Sequence, residues 1–255
     1  IGVGGTGTES VLEVRNYFKS LSPDGNLPPM VKFIFIDTSS KELFQLDPTL
    51  SVDEIFEISQ KHAKNLYAAH PERYATIPNK SKIRAVKDGA GQVRSLGRFA
   101  IQCHEVSPNL GSFSERFAEI YHSIQNIQNE EGENQFEILG NETEIHLACS
   151  LSGGTGSGAL LTIAYIIRNS APNSTLVSYA FSPNFFSHLA AKERIKQNAY
   201  AALLELDYCM NADSEDYQDV KYLQNQTIIS PPFDVFMYID NKTFTRNDTI
   251  RSYTY

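Results

Sequence analysis

Glycine and hydroxyl residues alternate in the segment SLSGGTGSG, residues 150–158. Glycine leaves room for backbone N–H groups to approach a ligand, and the serine and threonine hydroxyls add donors. The segment follows an apolar run that predicts a strand and precedes a helical pattern through Ala159–Arg168, so a helix N-terminus would add partial positive charge. No lysine follows the glycines as in a Walker A loop. The segment therefore predicts a site for a di- or triphosphate.

A second glycine segment, IGVGGTG, occupies residues 1–7 and precedes a predicted helix from about Thr8 to Ser20. This pattern by itself also suits dinucleotide-binding Rossmann domains, adenylating enzymes or a tight packing turn. A Rossmann domain needs only one such loop. The two segments together therefore favour a cradle for several phosphates.

A third glycine segment, DGAGQVRSLGR at residues 88–98, lies in the most basic part of an otherwise acidic chain. Between Lys80 and Arg98 there are six basic residues and one acid. A positive glycine loop suits the outermost phosphate, and the alternative is a solvated basic loop. The six basic residues are Lys80, Lys82, Arg84, Lys87, Arg94 and Arg98.

An acidic residue, Asp37, follows the predicted strand Val31–Ile36, with Thr38 and Ser39 next in the chain. The carboxyl ends of strands are where ligands bind in open α/β sheets. Asp37 could bind magnesium directly or through water. Its alternative role is to cap the following turn at Lys41–Leu46.

Elements able to position these residues alternate along the chain between short β-branched runs and helix-period segments. This alternation predicts an α/β fold, with a Rossmann-like parallel sheet covered by helices on both faces in one continuous domain. The further predicted strands are Ile145–Cys149, Leu176–Phe181 and Phe233–Ile239, with Ile1–Val3 as the tail of another. The further predicted helices are Asp53–Ala69, the apolar stripe from Leu110 to Ile127, and Ala190–Met210.

Composition narrows the functional classes. The net charge of −8 over 255 residues is the wrong sign for a surface that binds nucleic acid or anionic lipid throughout. The longest apolar stretch, Ala159–Ile167, is shorter than the roughly 20 residues of a bilayer span, so no membrane association is predicted. Three widely spaced cysteines without a CxxC pair argue for a reducing compartment, hence the cytoplasm, and against zinc.

The order of these motifs resembles the tubulin/FtsZ superfamily of GTPases, and most closely its bacterial tubulin-like branch. Gly153–Gly158 matches the GGTGSG signature, and residues 1–11 look like the first nucleotide loop of FtsZ. Asp240 and Asn241 are similar to the pair in tubulins whose asparagine reads the guanine edge. The resemblance implies nucleotide contacts at Gly4, Gly5, Thr6, Asp37, Thr38, Gly89, Ala90, Gly91, Gln92, Ser152, Gly153, Gly154, Thr155, Gly156, Ser157, Arg194, Asn198 and Asn241.

This resemblance also implies a function. It predicts a cytoskeletal protein that binds GTP or GDP with Mg²⁺ at Asp37, self-associates head to tail into filaments, and hydrolyses GTP when the full-length protein is assembled. The catalytic residues are unknown, because the hydrolytic loop of the family would lie beyond residue 255. The chain would then lack the start of the first strand and the C-terminal domain. The implied ribose-contacting region is Phe181–Pro183 together with Arg194 and Asn198.

Two departures from the family pattern leave alternatives open. The acid in the loop at Asp37 stands at the first position instead of the third, and Glu9 replaces an asparagine. These changes suit a tubulin-fold scaffold that binds nucleotide without turnover. A second alternative is a Rossmann enzyme using NAD or ATP. Against it, Asp37 stands roughly 30 residues after Gly7, where about 20 is usual.

Overall fold

The computed structural model describes residues 1–74, 77, 83–86, 89–107, 109–129, 140, 142–188, 192–211, 221–223, 226–227 and 230–241. Its strands are β1 (Gly2–Val3), β2 (Phe35–Asp37), β3 (Ile55–Glu57), β4 (Glu144–Ser150), β5 (Thr175–Phe181), β6 (Lys221–Leu223), β7 (Gln226–Thr227) and β8 (Val235–Ile239). Six of them form one parallel sheet in the order β3-β2-β1-β4-β5-β8, and β6 and β7 form a separate antiparallel pair. The predicted α/β fold is confirmed.

The helices cover both faces of the sheet. They are α1 (Gly4–Leu21), α2 (Ser40–Leu46), α3 (Ala63–Ala69), α4 (Arg94–Val106), α5 (Phe113–Asn129), α6 (Thr155–Ser170) and α7 (Lys192–Met210). Strand side chains alternate between the faces. Ala148 shares a cluster with Val11 of α1, while Leu147 and Cys149 share another with residues of α5, α6 and α7. Helix α6 is buried from its start through Ile167, as its apolar composition requires.

A change in the direction of strand order places the glycine segments side by side. Counting from β1, the chain adds β2 and β3 on one side, while β4, β5 and β8 lie on the other. Gly2 pairs with Phe35 of β2 and with Ala148 of β4. Ligands of open α/β sheets bind in the crevice at such a reversal point, beyond the carboxyl ends of the strands. The loops after β1 and β4 therefore flank the expected binding crevice.

Three predicted elements differ from the structure. The single helix expected over Asp53–Ala69 is wrong: the segment holds a short 3-10 turn, then the edge strand β3, then α3. Of the strand expected over Val31–Ile36, only the end forms β2, which continues to Asp37. Helix α1 begins at Gly4, earlier than Thr8, so the glycines form its first turn.

Helix α4 was not predicted, because residues 88–98 suggested a basic glycine loop. Helix α4 packs closely against the start of α6, and this contact leaves no room for a side chain at Gly97. No helix within the described ranges has both the length and the apolarity to cross a membrane.

Candidate functional site

A cleft of about 230 Å³ lies where β1 and β4 end. It collects thirteen of the residues implied by the sequence, namely Gly4, Gly5, Thr6, Asp37, Gly89, Ala90, Gly91, Gln92, Ser152, Gly153, Gly154, Thr155 and Gly156. Val3, Glu42, Ser150, Phe186 and Ile195 complete its lining. Thr38, Ser157, Arg194, Asn198 and Asn241 are not part of this lining. All three glycine segments therefore meet in one place.

Two long helices begin at this cleft without a side-chain cap. Val3 precedes helix α1 and Gly154 precedes helix α6. Neither residue forms a side-chain hydrogen bond that caps its helix. The first N–H groups of a helix have no partner within it, and the helix dipole adds partial positive charge there. The two N-termini together offer unpaired donors to an anion in the cleft.

Close approach of two backbones fixes the loop at residues 89–93 against the loop at residues 150–154. The N–H of Gly154 donates to the carbonyl oxygen of Gly91 over 2.7 Å. A Cβ at Gly154 would stand 2.5 Å from that oxygen, so only glycine permits the contact. Packing between the loops thus explains Gly154 without a ligand.

Two further glycines and one hydroxyl at the cleft are not explained by such packing. No heavy atom lies within 4 Å of the position that a Cβ would take at Gly5 or at Gly153. Ser152 is only 3% exposed, and its hydroxyl has no hydrogen-bond partner among the described residues. The Ser157 hydroxyl, by contrast, donates to the carbonyl oxygen of Gly153. The open glycines and the unpaired Ser152 hydroxyl fit a bound phosphate, because a buried polar group without a partner is costly.

Asp37 brings the one nearly buried carboxylate to the cleft lining. It is 7% exposed, and its Oδ1 accepts hydrogen bonds from the Thr38 N–H at 2.6 Å and the Thr38 hydroxyl at 3.2 Å. Burial raises the pKa of the Asp37 carboxyl, and the nearby Glu42 adds to the rise, while the hydrogen bonds from Thr38 partly offset it. A cation would relieve the cost of ionising this carboxyl. The alternative role as a helix cap is wrong, since Ser39 caps α2.

No group of three or more His, Cys, Asp or Glu side chains that could hold a metal occurs within the described ranges. A Mg²⁺ ion at Asp37 would therefore take its other ligands from phosphate oxygens and water, as Mg²⁺ commonly does. The residues present fit such an ion through a single protein carboxylate.

The basic residues do not supply their charge to the cleft as expected. Arg94 and Arg98 both donate to the carboxylate of Glu205 on α7, at 2.8 and 2.6 Å. Neither arginine lines the cleft. Arg84 is exposed to solvent and is not part of the cleft lining either. Lys80, Lys82 and Lys87 lie outside the described residues. The charges of these two arginines are therefore paired with an acid distant in sequence, and the arginines do not point into the cleft as a basic glycine loop would.

The ends of β5 and β8 carry a polar cluster beside the cleft. Asp240 accepts hydrogen bonds from the Ser182 hydroxyl at 2.8 Å and from the Asn184 side-chain amide at 2.9 and 3.0 Å. These bonds hold the turn Pro183–Phe186 beside the end of β8. The exposed Asn241 follows β8 by two residues. Phe186 of this turn lines the cleft, and sequence reasoning missed it because nothing distinguished it from the neighbouring Phe185.

A larger hollow of about 980 Å³ lies elsewhere, and Phe181 of the implied ribose-contacting region is the one residue implied by the sequence in its lining. Apolar side chains of α1 and α5 line part of it, among them Val14, Phe18, Ile120 and Ile124. Its size alone does not make it the functional site, since the glycine loops, the unpaired hydroxyl and the buried carboxylate all lie at the smaller cleft.

Fold and cleft together define a doubly wound α/β protein with a glycine-lined cleft at the reversal of its strand order. The chain matches the family model described as tubulin-like over residues 1–255 and belongs to the tubulin-like family. This membership, and not the strand order that dinucleotide-binding domains share, decides against the Rossmann enzyme.

No curated protein matches the chain. Among solved structures, it is similar to a GTPγS-form protofilament of TubZ from Bacillus thuringiensis serovar israelensis, with a TM-score of 0.50 and 13% sequence identity. The alignment covers 94% of this chain and 47% of that one, so the chain spans about half the length of TubZ. At this identity the similarity confirms the fold.

Proposed function

We propose that the cleft binds GTP or GDP and that the chain is the nucleotide-binding part of a filament-forming, prokaryotic tubulin-like protein acting in the cytoplasm. The observation that carries this proposal is the convergence of the two uncapped helix N-termini, of α1 and α6, on one cleft. Open space at Gly5 and Gly153 and the unpaired hydroxyl of Ser152 add to it. Each of these features suits an oxyanion such as a phosphate.

The nucleoside would lie towards β5 and β8. Because the strands are parallel, the loops that follow them line up along one edge in sheet order, with the glycine loops first and the turn Pro183–Phe186 next. Phe186 and Ile195 give this end of the cleft an apolar lining. The carboxamide of Asn241, just beyond β8, offers both a donor and an acceptor to a purine edge. Family membership makes guanine the expected base.

The proposal also includes hydrolysis of the bound GTP. A Mg²⁺ ion held by Asp37 would neutralise charge on the phosphates, while the backbone N–H groups of α1 and α6 hold their oxygens. The water-activating group would come from a neighbouring subunit in a head-to-tail filament. Self-association is supported by family membership and by the protofilament form in which TubZ was crystallised.

Titration calorimetry with GTP, GDP and ATP, in the presence and absence of Mg²⁺, tests the binding proposal. We expect GTP and GDP to bind more tightly than ATP, and Asn241→Ala to reduce this preference. The exposed Gln197→Ala on α7 is a control of similar polarity away from the cleft lining. Equal affinity for GTP and ATP, or no binding of any nucleotide, would overturn the proposal.

A second candidate is a scaffold of the same fold that binds nucleotide without turnover, which the position of Asp37 favours. Sedimentation and phosphate release by the full-length protein with GTP separate the two. Filaments that form with GTP and release phosphate support the GTPase. Binding without any phosphate release supports the scaffold.

A further inference from the structure

One asparagine ties together the two loops that line the cleft. The side-chain NH₂ of Asn198 on α7 donates to the carbonyl oxygen of Gln92 at 3.1 Å and to that of Ser152 at 2.9 Å. Asn198 is 9% exposed and is not part of the cleft lining. The two amide hydrogens therefore connect the loop at residues 89–93 with the loop at residues 150–154.

The same helix holds the next element at a second point. Glu205 follows Asn198 by about two helical turns and so lies on the same side of α7. It pairs with Arg94 and Arg98 in the first turns of α4, directly after the loop at residues 89–93. Arg94 also donates to the carbonyl oxygen of Ser157 at 3.2 Å. Helix α7 thus contacts both of these loops and the start of α4, and α4 in turn contacts the start of α6 through Arg94.

The loop at residues 89–93 needs such a restraint. Gly89 and Gly91 have φ angles of +98° and +56°, a region that glycine enters without strain but at a large entropic cost on ordering. Within this loop, the Gly91 carbonyl is held by Gly154 and the Gln92 carbonyl by Asn198. A loop that is ordered before the ligand arrives binds it more tightly, because the ordering cost is already met.

We propose that Asn198 is a positioning residue that preforms the loop at residues 89–93 for the terminal phosphate of a nucleoside triphosphate. This inference rests on the proposed function. It replaces the contact with ribose that the resemblance implied for Asn198, because the amide hydrogens already bridge two backbone carbonyls and Asn198 is not part of the cleft lining. The occupant of the loop would then be sensed by α7 through this bridge.

The two roles of Asn198 give different binding signatures. Ribose is common to GTPγS and GDP, so loss of a direct contact would weaken both equally. The loop at residues 89–93 would serve only the terminal phosphate, so loss of the bridge would weaken GTPγS much more than GDP. We expect Asn198→Ala to lower affinity for GTPγS about tenfold and affinity for GDP less than twofold.

The experiment is calorimetry of GTPγS and GDP binding to the unaltered chain and to Asn198→Ala, Asn198→Asp and the control Gln197→Ala. Asn198→Asp keeps the shape but turns a carboxylate towards two carbonyl oxygens, so its GTPγS loss should equal or exceed that of Asn198→Ala. Hydrogen exchange without nucleotide gives an independent measurement. The Gly154 amide should exchange faster in both Asn198 variants and unchanged in Gln197→Ala.

Equal losses for GTPγS and GDP, or no loss for either, would overturn the positioning role. Loss of the native circular dichroism spectrum in both Asn198 variants would assign the residue to fold stability and would also overturn it. If the unaltered chain binds neither nucleotide, the proposed function itself fails, and exchange at Gly154 still reports whether Asn198 restrains the loop.

Discussion

Gly97 of α4 packs directly against the backbone of Gly154, so closely that a Cβ on Gly97 would overlap the Gly154 carbonyl oxygen. Gly158 of α6 lies in the same way against the carbonyl group of Arg94. The start of α4 and the start of α6 therefore meet backbone to backbone. This contact sets the distance between two of the three loops of the cleft.

We expect Gly97→Ala to destabilise the chain by about 1–3 kcal/mol, because an added methyl group forces the two helices apart. Urea unfolding followed by circular dichroism measures the change. Gly153→Ala is the matched control, since nothing lies within 4 Å of the corresponding Cβ. Equal stability of the Gly97→Ala variant and the unaltered chain would contradict the close packing.

Gly153→Ala should weaken ligand binding and leave the stability of the fold unchanged. The methyl group would project into open space at the cleft, so the fold is retained while room for a phosphate is lost. We expect at least a tenfold loss of GTP affinity, or about 1.4 kcal/mol, with a urea midpoint close to that of the unaltered chain. Tight binding by this variant would place the phosphates elsewhere.

Glu205 makes stability depend on pH in the acid range. Burial by itself raises the pKa of this carboxyl, but the charges of Arg98 and Arg94 and their hydrogen bonds lower it below its usual value overall. A lowered carboxyl pKa stabilises the folded state above the unfolded-state pKa of roughly 4.3, and this contribution disappears as the pH falls through the folded-state pKa.

Glu205→Gln should therefore cost about 1–2 kcal/mol at pH 7, a value reduced from that of a fully buried pair because Glu205 is partly exposed. The difference from the unaltered chain should shrink as the pH falls below about 4. Urea unfolding at pH 7 and pH 3.5 measures both quantities. A difference that stays constant with pH would mean that the carboxylate charge does not stabilise the two arginines.

Asp37 should act with the opposite sign. Because burial raises its folded-state pKa, ionisation costs the folded state free energy above that pKa, and the cost vanishes below the unfolded-state value of roughly 3.9. We expect Asp37→Asn to raise the thermal midpoint at pH 7 and to abolish the Mg²⁺ dependence of GTP affinity. Glu13→Gln, at an exposed position of α1, controls for the change in net charge. A variant that keeps its Mg²⁺ dependence would remove Asp37 from the metal site.

The three thiols should be unreactive in the native chain. Cys103, Cys149 and Cys209 are free and buried, and burial raises the pKa of Cys103 and Cys149 to about 12 and that of Cys209 to about 11. The thiolate is the reactive form, so labelling with a disulfide reagent at pH 8 should be slow until urea is added. Rapid native labelling of any thiol would show that its helix or strand opens.

Strands with clear β-branched runs were predictable from sequence, whereas β3 and α4 were not. The three residues Ile55–Glu57 form an edge strand within a segment whose apolar spacing also suits a helix. Helix α4 contains Gly97, which disfavours a helix in isolation, and only packing against α6 explains its presence. In both cases a distant partner decides the local structure.

The glycine loops were predictable as a group, because glycine density alone signals backbone approach. The role of each side chain around them was not. Arg94 and Arg98 are paired with Glu205, more than 100 positions later, and no spacing rule predicts such a partner. The bridge from Asn198 to two backbone carbonyls likewise depends on tertiary placement.

The pairing of β1 with β4 has a consequence for how the chain folds. Val3 can pair with Cys149 only after the ribosome has added roughly 145 further residues, so the middle of the sheet forms late. At a ribosomal rate of about 5–20 residues per second, the opening strand would stay unpaired on that side for about 7–30 s. Contacts between such distant segments slow folding and prolong exposure of strand edges. The arrangement that brings two helix N-termini together thus makes the nascent chain vulnerable to aggregation during synthesis.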